Sequence, residues 1–155
     1  MDKTIASIVG LSVVVLGVII FGSVQSNKNF QPRSQCVEHS LALSMHIHPN
    51  VEINVDNQKV AIPANIGIDP SCMRAIHTHD ESGQMHVEYP EKHDFTLADF
   101  FANWQQPFSK DRILDKVTDE THAITMLVDG QPSEEFENLV LRDEQKIVII
   151  YQEKK

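Results

Sequence analysis

The chain is poor in the residues that most often betray a function. Two of its 155 residues are cysteine and one is tryptophan. Cys36 and Cys72 permit one intramolecular pair, which excludes a multi-disulfide scaffold and a four-cysteine zinc module. Glycine occurs six times and nowhere in a cluster, so no glycine-rich phosphate loop is present. Cations are scarce: 13 Lys and Arg face 22 Asp and Glu, for a net charge of −9. Such a chain repels phosphate backbones, which sets nucleic acid aside as a partner and favours cations. No Ser–His–Asp order and no aromatic-basic patch appears. Histidine, by contrast, is plentiful, with eight copies.

One long apolar run exists. Residues 5–24, "IASIVGLSVVVLGVIIFGSV", carry no charge. At about 1.5 Å rise per residue a helix of this length spans roughly 30 Å, the thickness of bilayer hydrocarbon. The run is longer than a usual signal core and "FGSVQS" is a poor cleavage site, so an uncleaved anchor is favoured over a signal peptide. The expected plan is a transmembrane anchor over 1–25, a polar linker over 26–35 and an extracytoplasmic domain over 36–155. The compartment beyond the membrane is oxidising, and there Cys36 and Cys72 are expected to bond to each other rather than serve as ligands.

From Met45 the pattern alternates. Met45, Ile47, Val51, Ile53 and Val55 share one parity, while His46, His48, Glu52 and Asn54 share the other. This predicts a half-buried strand bent at Pro49. "DNQK" is turn chemistry, "VAIPA" returns as a strand and "NIGIDPS" is loop. Residues 74–89 read as a hairpin tipped by "DESG". Thr96 caps a helix whose Leu97, Phe100, Phe101 and Trp104 form one apolar stripe, and Pro107 ends it. "AITMLVDGQP" predicts a strand running into an Asp-Gly turn, and 146–151 a closing strand. The sum is an α+β domain with a mixed sheet and one main helix. The order of hairpin, helix, strand, turn and last strand resembles a β-grasp fold.

The histidines fall into this frame. In the hairpin, Met85, Val87 and Tyr89 share a parity. If they face the core, His77, His79, His86 and Glu88 face the other way, with His77 opposite His86 at about 4.5–5.5 Å between Cβ atoms. His46-x-His48 and His77-x-His79 each place two rings on one strand face. Two such rings and one from a neighbouring strand can converge on one ion, as in three-histidine zinc and several copper sites. Glu88 and Asp80 are candidate carboxylate ligands or ring-orienting partners. Whether His46 and His48 join depends on strand order. His39, His93 and His122 read as ordinary solvated histidines. Met45, Met73 and Met85 beside the cluster favour copper, with zinc possible, although Met45 and Met85 also have core parity. The "HTHD" string also occurs in amidohydrolase barrels, but those need roughly 200 residues or more.

"IHTHDESGQMHVEYP" followed by "FTLADFFANW" resembles an uncharacterised family of membrane-anchored, exported bacterial and archaeal proteins. Cys72, Met73, His77, His79, Asp80, Ser82, Gly83, His86, Glu88, Phe95 and Trp104 carry the resemblance, with Ala98 standing where that pattern has glycine. It implies a shared architecture and a shared histidine site, and no reaction. Three expectations follow. The first is a membrane-anchored domain that binds or delivers copper. The second is an accessory subunit of a membrane copper enzyme complex, such as an ammonia monooxygenase-type assembly. The third, less favoured, is a small three-histidine metalloenzyme with Glu88 as base.

Overall fold

A computed structural model describes residues 31–37 and 42–154. The expected anchor, the first residues of the linker and His39 lie outside the described residues. Among the described residues no helix is long and apolar enough to cross a membrane.

The domain is mixed α+β, mostly sheet with one helix. Strand β1 covers Met45–Ile47, β2 Asn50–Val55 and β3 Gln58–Lys59. Short strands follow: β4 Ile68–Asp69, β5 Cys72–Met73, β6 Ile76–His77 and β7 His86–Tyr89. Helix α1 spans Leu97–Trp104. Beyond it lie β8 Phe108–Ser109, β9 Arg112–Ile113, β10 Lys116–Val117, β11 His122–Val128, β12 Gln131–Pro132 and β13 Lys146–Glu153.

The largest sheet has the order β12-β11-β13-β2-β3. Its central pair, β13 and β2, is parallel, and its other pairs are antiparallel. Register explains its core. Met126, Ile149 and Ile53 stand side by side across three strands, as do Val128, Ile147 and Val51. Ile53, Ile147, Ile149 and Met126 are buried, and β-branched residues suit such a pleated, buried face. The β11–β12 turn has positive φ at both Asp129 and Gly130, the backbone of a two-residue type I′ hairpin.

The single alternating run predicted from Met45 to Val55 is divided at His48 and Pro49. β1 joins a second sheet of order β1-β7-β6, while β2 joins the large one. Proline cannot donate to a ladder, so the chain changes sheets there. The predicted returning strand over 60–64 is not a strand: the return is β3 itself, inside the stretch read as turn, and the tight turn narrows to Asp56 and Asn57, both at positive φ. The predicted loop before Cys72 contains β4, which pairs with β5. The polar stretch after α1 forms a small three-stranded sheet, β10-β9-β8.

Helix α1 starts as predicted. The Asp99 carboxylate accepts from the Thr96 backbone N–H at 2.9 Å and from its hydroxyl at 3.1 Å, which satisfies donors the first turn leaves free. Leu97, Phe100 and Phe101 are buried in the core, while Trp104 is half-buried and packs against it. Gln105 in a left-handed conformation and then Pro107 stop the helix. Ahead of the strands, the Pro32–Ser34 turn lies on α1, with Arg33 3.2 Å from Asp99.

Candidate metal centre

The three-stranded sheet carries the histidines. β7 is its middle strand, so β1 and β6 flank it. The register sets His77 opposite His86 and His46 opposite Glu88. The first pairing is the one the parity of the hairpin required.

The "HTH" string is fixed through its middle residue. Thr78 is buried. Its hydroxyl donates to the Pro63 carbonyl at 2.9 Å and accepts from the Ile66 N–H at 3.1 Å. Its backbone N–H and carbonyl bond to Ile66 and Asn65. With Thr78 held on one side, His77 and His79 are placed on the other. Asn103 of α1 donates to the Ile76 carbonyl at 2.9 Å, which ties β6 to the helix. Gly67 (φ +74°) is required by contact: a Cβ there would collide with the Ile76 carbonyl and press on His77. Gly83 (φ +84°) lets the hairpin loop dock on β2, where the Val51 N–H donates to its carbonyl at 2.9 Å.

Two histidine groups result. One ligand nitrogen from each of His77, His79 and His86 lies within 4.8 Å of the others, and the same holds for His46, His48 and His86. Among the described residues these are the sets of three or more potential ligands so arranged, and they share His86. Ligand nitrogens about 2.0–2.1 Å from one ion stand roughly 3.3 Å apart in a tetrahedron. Closing either set on an ion thus requires inward movement on the order of an ångström.

His77 differs from its neighbours. It is 0 % exposed, whereas parity alone put it on an open face. Its Nδ1 lies 2.9 Å from the Arg74 carbonyl. A carbonyl only accepts, so Nδ1 carries the proton and Nε2 keeps its lone pair. That Nε2 is buried and has no hydrogen-bond partner. Burial drives the His77 pKa down to about 4, so the ring is neutral across ordinary pH. His86 is also lowered, first by burial and then by the neighbouring His79 and His48. Neutral imidazoles with fixed tautomers are the form that binds metal.

The expected carboxylates take different roles. Glu88 lies beside His46, with Oε1 3.2 Å from Nε2. Asp80 accepts from the Ser82 N–H at 2.9 Å and thereby shapes the loop. Its pKa is lowered, chiefly by Ser82, and it belongs to neither histidine group. Of the methionines, Met85 is buried in the core and Met45 packs against it. His93 packs on Phe95 at 4.6 Å between centroids, and His122 stacks on Tyr151 at 5.1 Å. A cleft of about 450 Å³ borders His46, His93, Arg142 and Asp143. It touches the outer edge of the cluster and does not cover His77, His79 or His86.

Two contributors escaped the sequence reading. Arg74 acts through its backbone carbonyl, which no side-chain pattern can signal. Asp143 accepts from the His48 backbone N–H at 2.9 Å and lies 3.8 Å from its ring, but nothing local links two residues so far apart in the chain.

Cys36 and Cys72 are bonded, with their Cα atoms 5.1 Å apart. Cys36 also bridges Arg74, and the Arg74 N–H donates to the Gly67 carbonyl at 2.8 Å. The segment that offers its carbonyl to His77 is thus held from two sides. No family model, curated protein or solved structure matches the chain.

Proposed function

We propose that the domain binds a transition-metal ion, copper in the first instance, through His77, His79 and His86. The observation that carries this reading is the buried His77 Nε2, a lone pair withheld from every protein donor beside two further imidazoles. Leaving such a group unpaired costs about 1–3 kcal/mol, and an ion would offset that cost. Met85 is buried in the core and Met45 packs against it, which weakens the thioether argument for Cu(I). An all-imidazole donor set still favours Cu(II) over Zn(II), following the usual affinity order for nitrogen ligands.

The disulfide supports a domain on the extracytoplasmic side, where such bonds persist. Residues 5–24 supply the membrane anchor in this reading. The strand order β3-β2-β13-β11-β12 with a parallel central pair supports a β-grasp-like description. We read the protein as a carrier or deliverer of metal ahead of a small metalloenzyme, because Glu88, the candidate base, lies against His46 at 3.2 Å.

The test is calorimetric titration of the full chain, purified in detergent without a histidine tag, with Cu(II) and Zn(II). Wild type should bind well below millimolar. His79→Ala, at an exposed position, should weaken binding strongly, while His93→Ala should not. Affinity should fall in acid, and most steeply towards pH 4, where protons compete for His77 itself. If neither metal binds more tightly than millimolar, or if both variants behave alike, the reading fails. The alternative, an accessory subunit of a membrane copper enzyme complex, would then be sought by co-purification.

A further inference from the structure

His86 occupies a special place among the five clustered histidines. It stands on the middle strand of its sheet, with one His-x-His pair on each neighbour: His46 and His48 follow β1, His77 and His79 follow β6. The contacts are balanced. The His48 ring meets His86 edge-on at 4.7 Å and 90°, and His79 meets it at 4.6 Å and 76°. Within each pair the rings are 4.6 and 4.8 Å apart. The two ligand groups overlap at His86 and nowhere else.

From this arrangement we propose that the cluster is a two-ion site in which His86 is shared, one ring nitrogen serving each ion. This deepens the metal-binding reading and rests on it. The spacing fits. Strands β1 and β6 lie two strand widths apart, about 9.5 Å. Two ions bound at about 2 Å on opposite nitrogens of one imidazole stand roughly 6 Å apart, each between the middle strand and one flank. When the second ion binds, His86 loses its remaining ring proton to solvent, and both nitrogens then act as donors.

The two positions differ in chemistry. The inner one, on His77 and His79, has a buried ring fixed by a backbone carbonyl and no carboxylate in its group. The outer one, on His46 and His48, is more exposed and has Glu88 and Asp143 beside its rings, at 3.2 and 3.8 Å. Those carboxylates offset the charge of a second cation. The outer rings are the more exposed, so the outer ion should exchange quickly and the inner one, on the buried His77, slowly.

The experiment loads the full chain with Cu(II), measures bound copper per chain and records its electron paramagnetic resonance. The expected result is two equivalents with an integrated signal far below two spins, because a shared imidazole couples the ions. Acid unfolding of the same sample should restore the full signal. His48→Ala should keep one equivalent and show a full, uncoupled spin. His86→Ala should weaken both positions by more than the about 10–100-fold lost with an outer partner. A chelator should remove one ion well before the other. Two equivalents with two full spins would overturn the sharing. One equivalent, unaffected by His48→Ala, would overturn the second position and leave the three-histidine reading standing. No binding at all would overturn both.

Discussion

The two larger sheets share one pattern and use it in opposite ways. In both, one parity of each strand is apolar and faces the common core. In β12-β11-β13-β2-β3 the other parity is mixed: Glu52 and Asn54 of β2 stand in register with Val148 and Ile150 of β13 and with Leu127 and Thr125 of β11, and no histidine is among them. In β1-β7-β6 that parity brings His46, His77, His86 and Glu88 together. Alternation therefore says where the core is, and residue type on the remaining parity says whether a surface can act. A second difference lies in support. The large sheet is held by its own rows of Val, Ile and Met. The small one is held from outside, by Thr78 contacts, Asn103, Gly67 and the disulfide.

The largest effect should come from breaking the self-supporting sheet. Ile149 is fully buried at the centre of its row. Ile149→Ala should cost up to about 5 kcal/mol, read as a lower denaturant midpoint. Metal bound per folded chain should not change.

Next comes the disulfide. Its sequence separation is 36, and opening a loop of that length should cost on the order of 3–4 kcal/mol. Reduction should also weaken metal binding, because Arg74 would no longer be held beneath His77. A thiol assay, a melt and a titration of the same reduced sample separate the two losses. Reduced protein with unaltered affinity would show that the disulfide is not needed to hold Arg74 beneath His77.

An acid titration of metal-free protein sharpens the contrast further. His77 has a folded pKa of about 4 and an unfolded one of about 6.5. Between these values the unfolded chain binds more protons, so stability is complete above about pH 6.5 and falls as pH drops towards 4. The loss should be on the order of 2–3 kcal/mol, and His77→Phe should flatten that part of the curve. The smallest effect belongs to the helix start: Asp99→Ala should cost about 1 kcal/mol, seen in the melt and not in metal affinity.

Much of this was legible from the sequence where the information is local. The parity of residues 76–89 required the His77–His86 pairing, Asp-Gly required the β11–β12 turn, and Thr96 with the aromatic stripe required α1. What was not legible depends on distant partners. Nothing near Pro49 says that β2 will pair with Lys146–Glu153 and leave β1 to another sheet. The strands β8, β9 and β10 are two residues each, too short for any period to register. Gly67, distant in sequence, packs against His77, and parity alone could not distinguish an outward face from a covered one.

The pairing of β2 with β13 also imposes an order in time. Until Lys146–Glu153 has been made, β2 has β3 as its sole partner in the large sheet. Closing so long a stretch of chain is entropically costly and slow. The hairpin bearing His77, His79 and His86 closes within a few residues and can pair first. On a chain emerging amino end first, the inner ligands thus exist well before the sheet beside them, and before Asp143 can reach His48. All five clustered histidines precede Asp143, so synthesis order sets the whole cluster, and not one half of it, ahead of the carboxylate that fixes His48.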